Sequence, residues 1–121
     1  MKSHWIRHNN KRIFIADFSN FGGDAKSLAV EVEAIKETLR MELPNSVRSI
    51  TCVDGTFANP EIIQVLGGLL PFSNKYICQR ALVGVAGFRK YFLDSLDHLM
   101  GTVHFKSFDT LERAIEWISQ D

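Results

Sequence analysis

Charge of one sign is not in excess, because 14 lysines and arginines are matched by 14 aspartates and glutamates. No net field gathers polyanions or anionic lipid around such a chain, so nucleic acid and membrane surfaces are not expected partners. Cysteine is scarce too, and neither Cys52 nor Cys78 belongs to a Cys-x-x-Cys pair or stands beside a histidine. A disulfide-dense scaffold is thereby ruled out, and both thiols are expected as small buried hydrophobes without redox or nucleophilic duty. The longest apolar runs, such as VLGGLLPF at 65–72, fall far short of the ~20 residues that cross a bilayer, so no membrane span is expected. The opening MKSHW lacks the apolar stretch of a secretion signal, and a cytoplasmic address follows as an expectation. His4, His8, His98 and His104 show no metal-ligand spacing with cysteine or carboxylate, and no cofactor motif is present. No catalytic residue, metal or cofactor is therefore expected.

What is present is core. With 121 residues, 45 % of them hydrophobic and 23 % charged, the chain suits a single domain over residues 1–121. SHWIRHNNKRIFIADF alternates around Asn9-Asn10, a pair that tolerates positive φ, and predicts an amino-terminal β-hairpin. The second arm is apolar on both faces, as a covered central strand is; the first, with His4, Arg7 and His8, reads as a solvated edge. Leu28, Val32, Ile35, Leu39 and Leu43 then recur at helical spacing behind a cap at Asp24, with Glu31, Glu33, Lys36, Glu37 and Arg40 on a solvated face. VRSITCV predicts a strand ending at Asp54-Gly55. Asn59-Pro60 opens a second helix with Ile62, Ile63, Leu66, Leu69 and Leu70 inward, in which Gly67-Gly68 suggests close packing or a frayed end. ALVGVAG at 81–87 predicts a further strand and Phe88, Phe92, Leu96 and Leu99 a third helix. TVHFKSF and DTLERAIEWIS supply the last strand and helix, with Asp109 and Glu112 at capping-box spacing.

This order predicts an α/β domain with a mixed, mostly parallel sheet, an amino-terminal β-hairpin and about four helices. In such sheets ligands gather at the carboxyl ends of the strands, which here carry DFSNFGGD, VDGTFAN and GVAGFRK. The candidate partner- or ligand-binding residues are accordingly Phe21, Asp54, Thr56, Phe57, Asn59, Gly84, Gly87, Arg89 and Lys90. Gly84 and Gly87 with Arg89 and Lys90 could cradle an anion at a helix start, but a bare Gly-x-x-Gly also makes a tight strand-to-helix corner, which is the preferred reading. Asp17 and Asp54 close strands on the same edge, where an aspartate caps the next turn more readily than it serves catalysis. Phe21 and Phe57 lie beside that edge and are expected to be core, as is Trp117 in the last helix.

KRIFIADFSNF, ALVGVAGFRKYFLDSL and FKSFDTLERAIEWI, in this order, resemble the SpoIIAA-like family of small bacterial proteins with the STAS fold, related to anti-sigma-factor antagonists and to lipid-carrying CRAL-TRIO domains. The resemblance covers nearly the whole chain. It implies a STAS-like sheet faced by helices, no catalysis, and a regulatory domain that binds a protein partner or itself. In the antagonists an Asp-Ser-Ser/Thr-Gly serine or threonine at a helix start is phosphorylated. This chain departs there, since its turn reads VDGTFANPEI, leaving Thr56 as the candidate for phosphorylation or, more simply, as a turn-bonding threonine. The alternative function is a carrier or sensor of a small apolar or anionic ligand near Phe21, Phe57, Gly84 and Arg89.

Overall fold

The structure, a computed structural model, describes residues 1–84 and 105–120. The expected third helix, together with Gly87, Arg89, Lys90, His98 and His104, lies outside the described residues. The elements are β1 (His4–His8), β2 (Lys11–Asp17), α1 (Ala25–Leu39), β3 (Val47–Cys52), α2 (Pro60–Ser73), β4 (Ile77–Val83), β5 (Lys106–Phe108) and α3 (Leu111–Ile118). The strands form one sheet in the order β1-β2-β3-β4-β5, with β1 antiparallel to β2 and every other pairing parallel. The chain is therefore an α/β protein with a mixed, mostly parallel sheet.

The hairpin forms because Asn9 and Asn10 take φ of 51° and 63°, the left-handed pair that matches the twist of the two arms. β1 is an edge strand, and β2 is covered on both faces. Phe14, Ala16 and Phe18 enter a core with α1 and α2, while Ile13 and Ile15 join Ile50, Ala81, Val83, Ala114 and Ile118 beneath α3. Asp24 caps α1 by accepting the Ser27 N–H at 3.1 Å, and Asn59 caps α2 by accepting that of Ile62 at 2.8 Å. Among the described residues no helix is long and apolar enough to cross a membrane.

Several local expectations are corrected. α1 ends at Leu39, and Leu43, exposed in the loop beyond, belongs to no buried stripe. Glu31 is not solvated: its carboxylate is buried and accepts the backbone N–H groups of Lys2 at 3.1 Å and Ser3 at 2.8 Å, tying the amino-terminal segment to α1. Burial opposes ionisation, yet these bonds and the Ser3 side chain together hold Glu31 below the usual carboxylate range. Gly68 makes no close contact, since a Cβ there would meet nothing within 4 Å. β4 begins at Ile77, four residues before the expected start, and the pairing with β3 shifts register so that Cys78 is passed over between Ile77 and Gln79. Cys78 is consequently exposed on this bulge, with its thiol donating to the Val47 carbonyl at 3.5 Å. At α3 the cap is Thr110, whose hydroxyl accepts the Arg113 N–H, in place of the expected Asp109–Glu112 box. Trp117 is half-buried against Phe108, ring centroids 5.6 Å apart.

Candidate functional site

Because β2, β3 and β4 run parallel and adjacent, their carboxyl ends form one rim. The loops that follow β2 and β3 continue the ladder past the strands. Asn20 N–H donates to the Asp54 carbonyl at 2.6 Å, Gly22 N–H to that of Gly55 at 2.9 Å, and Phe57 N–H to that of Gly22 at 2.8 Å. Thr56 lies inside this seam, buried, its Oγ1 accepting the Phe21 N–H at 3.1 Å and donating to the Phe18 carbonyl. The bond runs to the neighbouring loop, not to the residue's own turn. In this arrangement a phosphoryl group has no access to the hydroxyl unless the two loops part.

Gly84 is explained by contact. Its φ is +93°, and a Cβ there would lie 2.1 Å from the Asp54 carboxylate and 2.8 Å from the Asp54 nitrogen. The missing side chain makes room for the neighbouring loop, so at Gly84 the tight-corner reading has a sufficient steric cause. Asn59 is engaged as the α2 cap, and Phe21 is half-buried beneath the Lys2 ammonium, 4.5 Å from the ring centroid. Phe57 departs from expectation. It is 57 % exposed, carried outward by the very loop that Gly22 pins.

On the α3 side of the rim Asp17, Asp54, Asp109 and Glu112 border a shallow hollow with His4. Asp17 accepts the Ser19 N–H at 3.0 Å and faces the Lys2 ammonium at 3.8 Å, so it does cap its turn. Among the described residues no group of side chains has the geometry to hold a metal ion. Cys52 borders the same hollow, and burial, with Asp17 and Asp54 adding repulsion, pushes its thiol up to about 12. A thiol held there stays protonated and unreactive.

A second place was not anticipated. Between the sheet and the α1–α2 layer lies a narrow cavity of about 40 Å³, walled by apolar side chains including Phe14, Phe18, Leu66 and Leu82. Four polar residues also line it: Ser49 and Thr51 from β3, Ser73 from α2 and Arg80 from β4. Arg80 Nη2 donates to Ser73 Oγ at 3.0 Å and to Asn74 Oδ1 at 2.7 Å, and the guanidinium lies 5.8 Å from the Phe105 centroid. No carboxylate pairs with it among the described residues. Burial pushes this guanidinium down to about 10, so it stays charged at neutral pH. Ser49 is buried, and neither its hydroxyl nor that of Thr51 bonds to another described group.

None of the rim candidates lines this cavity. The signal for it was parity: once β4 starts at Ile77, Arg80 falls on the face of Leu82, and Ser49 and Thr51 fall on one face of β3 opposite Ile50 and Cys52. A strand beginning at Ala81, as the apolar run alone suggests, leaves Arg80 outside it. No family model, curated protein or solved structure matches this chain.

Proposed function

We propose that the chain is a non-enzymatic cytoplasmic domain of SpoIIAA-like, STAS-type build that carries or senses a small apolar or anionic molecule, held between the sheet and the α1–α2 layer. The observation that carries this reading is the cavity whose polar lining includes a guanidinium without a carboxylate among the described residues. A partly desolvated guanidinium that no described carboxylate offsets carries an electrostatic cost, and an anionic ligand beside it lowers that cost. The apolar wall supplies the remaining affinity through burial. The test is titration with short straight-chain alcohols, uncharged ligands with apolar tails, read by calorimetry. Saturable binding at one site is expected, and Ser49→Leu, which fills the cavity from its floor, should abolish it. Undiminished binding to a folded Ser49→Leu variant would remove the reading.

A second reading, a regulatory contact with a protein partner or a second copy, is favoured by Phe57, an exposed aromatic on a loop fixed by backbone bonds. Cross-linking in the native host followed by mass spectrometry should give a product lost in Phe57→Ser. Unchanged products, with a monomer by light scattering, would count against it.

A further inference from the structure

We propose that the groove between the β1–β2 hairpin and the loop joining α1 to β3 is a docking site for an acidic, extended segment of a partner protein. It lies at the amino ends of β2 and β3, the opposite end of the sheet from Phe57, and the inference rests on neither reading above. Charge is the first observation. The chain as a whole is neutral, yet this groove is lined by Arg7, Lys11, Arg12 and Arg48 against one carboxylate, that of Glu42. Arg12 takes that carboxylate at 3.1 Å with its guanidinium 4.1 Å from the Trp5 ring centroid, and Arg48 donates to the Ile118 carbonyl at 3.3 Å. No carboxylate pairs with Arg7 among the described residues. Arg7 and Arg12 are moreover register partners across the hairpin, so two like charges stand opposed on one face. Such a pair costs a sheet stability, and an anion beside both cations offsets the repulsion.

The second observation makes the partner a polypeptide. Met41 and Leu43 line the same groove at 83 % and 76 % exposure, apolar side chains that a phosphodiester backbone leaves uncovered and an apolar residue set among acidic ones covers. β1 is also an edge strand. It pairs with β2 alone among the described residues, so every second residue turns its N–H and C=O outward. A peptide can continue the sheet along that edge, with alternate side chains on the face of Trp5 and Arg7, and a nucleic acid cannot. The groove is concave, which admits a chain and holds off a flat lipid surface. A second copy laying its own β1 along this one would set cation against cation, so the edge is not built for self-pairing.

The experiment is a fluorescence-anisotropy titration of the full chain into a labelled hexapeptide alternating glutamate and leucine, with glutamine-for-glutamate and serine-for-leucine versions as controls. The parent peptide should bind at least about tenfold more tightly than the glutamine version, as a charge-assisted bond is worth, and its affinity should fall as salt rises. Serine for leucine should weaken binding by a smaller factor. Arg7→Glu should weaken the parent peptide at least about tenfold while raising the melting temperature, because it turns a repulsive cross-strand pair with Arg12 into an attractive one. Met41→Ser with Leu43→Ser should abolish the advantage of leucine over serine and keep that of glutamate over glutamine. Equal affinity for the glutamate and glutamine peptides, unchanged affinity in Arg7→Glu, or no binding of the parent peptide overturns the assignment. So does tighter binding to hexathymidylate or to phosphatidylserine vesicles, which would give the groove to nucleic acid or membrane. Because the peptide series needs no variant, failure of a variant to fold does not protect the proposal. None of these failures touches the carrier reading, tested with alcohols, or the Phe57 contact, tested by its own variant.

Discussion

At the rim, polar groups find their partners inside the protein: the Thr56 hydroxyl joins two backbone groups of the neighbouring loop, Asn59 caps α2, and Asp17 caps its own turn. In the cavity, on the other face of the same central strands, Arg80 keeps donors in reserve and the hydroxyls of Ser49 and Thr51 have no described partner. The difference separates residues that shape the fold from residues that await something. Turn and cap chemistry at strand ends draws attention in a sequence because glycine, asparagine and aspartate are distinctive there, yet here those residues are consumed in joining two loops. The leftover capacity sits mid-strand.

Substitutions that sharpen or break this contrast differ in size. Gly84→Ala should be the most damaging, because the added methyl meets the Asp54 backbone at a positive φ. A loss of about 3 kcal/mol or more is expected by chemical denaturation, as for other forced clashes at special backbone positions. Native-like stability there would return the glycine to a ligand role. Thr56→Val should cost about 2 kcal/mol, by stranding the Phe21 N–H and the Phe18 carbonyl within the seam. If the melting temperature is unmoved, the rim is not held as described.

Glu31→Gln should cost about 1–2 kcal/mol at neutral pH, in the range of hydrogen bonds to a charged group. The folded-state value of Glu31 is depressed, so its contribution is full above the ordinary glutamate value of 4.5 and is lost as pH falls through the lower folded value. Native and variant stabilities should converge in acid; a constant gap down to the lowest accessible pH would contradict the assignment. Arg80→Met should lie within about 1 kcal/mol of the native chain, since it removes a half-desolvated charge that no described carboxylate compensates. A loss as large as that of Thr56→Val would place Arg80 with the fold-shaping residues. Smallest of all, Gly68→Ala should stabilise by roughly 0.5–1 kcal/mol, as it adds helix propensity in open space.

The architecture was legible because its signals are local and repeated. Period-two alternation around Asn9-Asn10 fixed the hairpin, spacing of Leu28, Val32, Ile35 and Leu39 fixed α1, and Asn59-Pro60 fixed the start of α2. What stayed hidden depends on contacts distant in the chain. Glu31 falls among surface glutamates by spacing and is buried only because Lys2 and Ser3 return to it. Phe57 reads as core by its apolar character, whereas its loop is pinned through backbone bonds and the ring is left exposed. The cavity required the true start of β4, which a register shift had obscured.

The bulge that carries Cys78 has a practical corollary. Both cysteines of the chain lie among the described residues; Cys52 is locked away as a protonated thiol, while Cys78 faces solvent two positions before Arg80 in the same strand. A maleimide fluorophore should therefore attach at one atom only, giving an unmutated reporter stationed at the flank of the pocket.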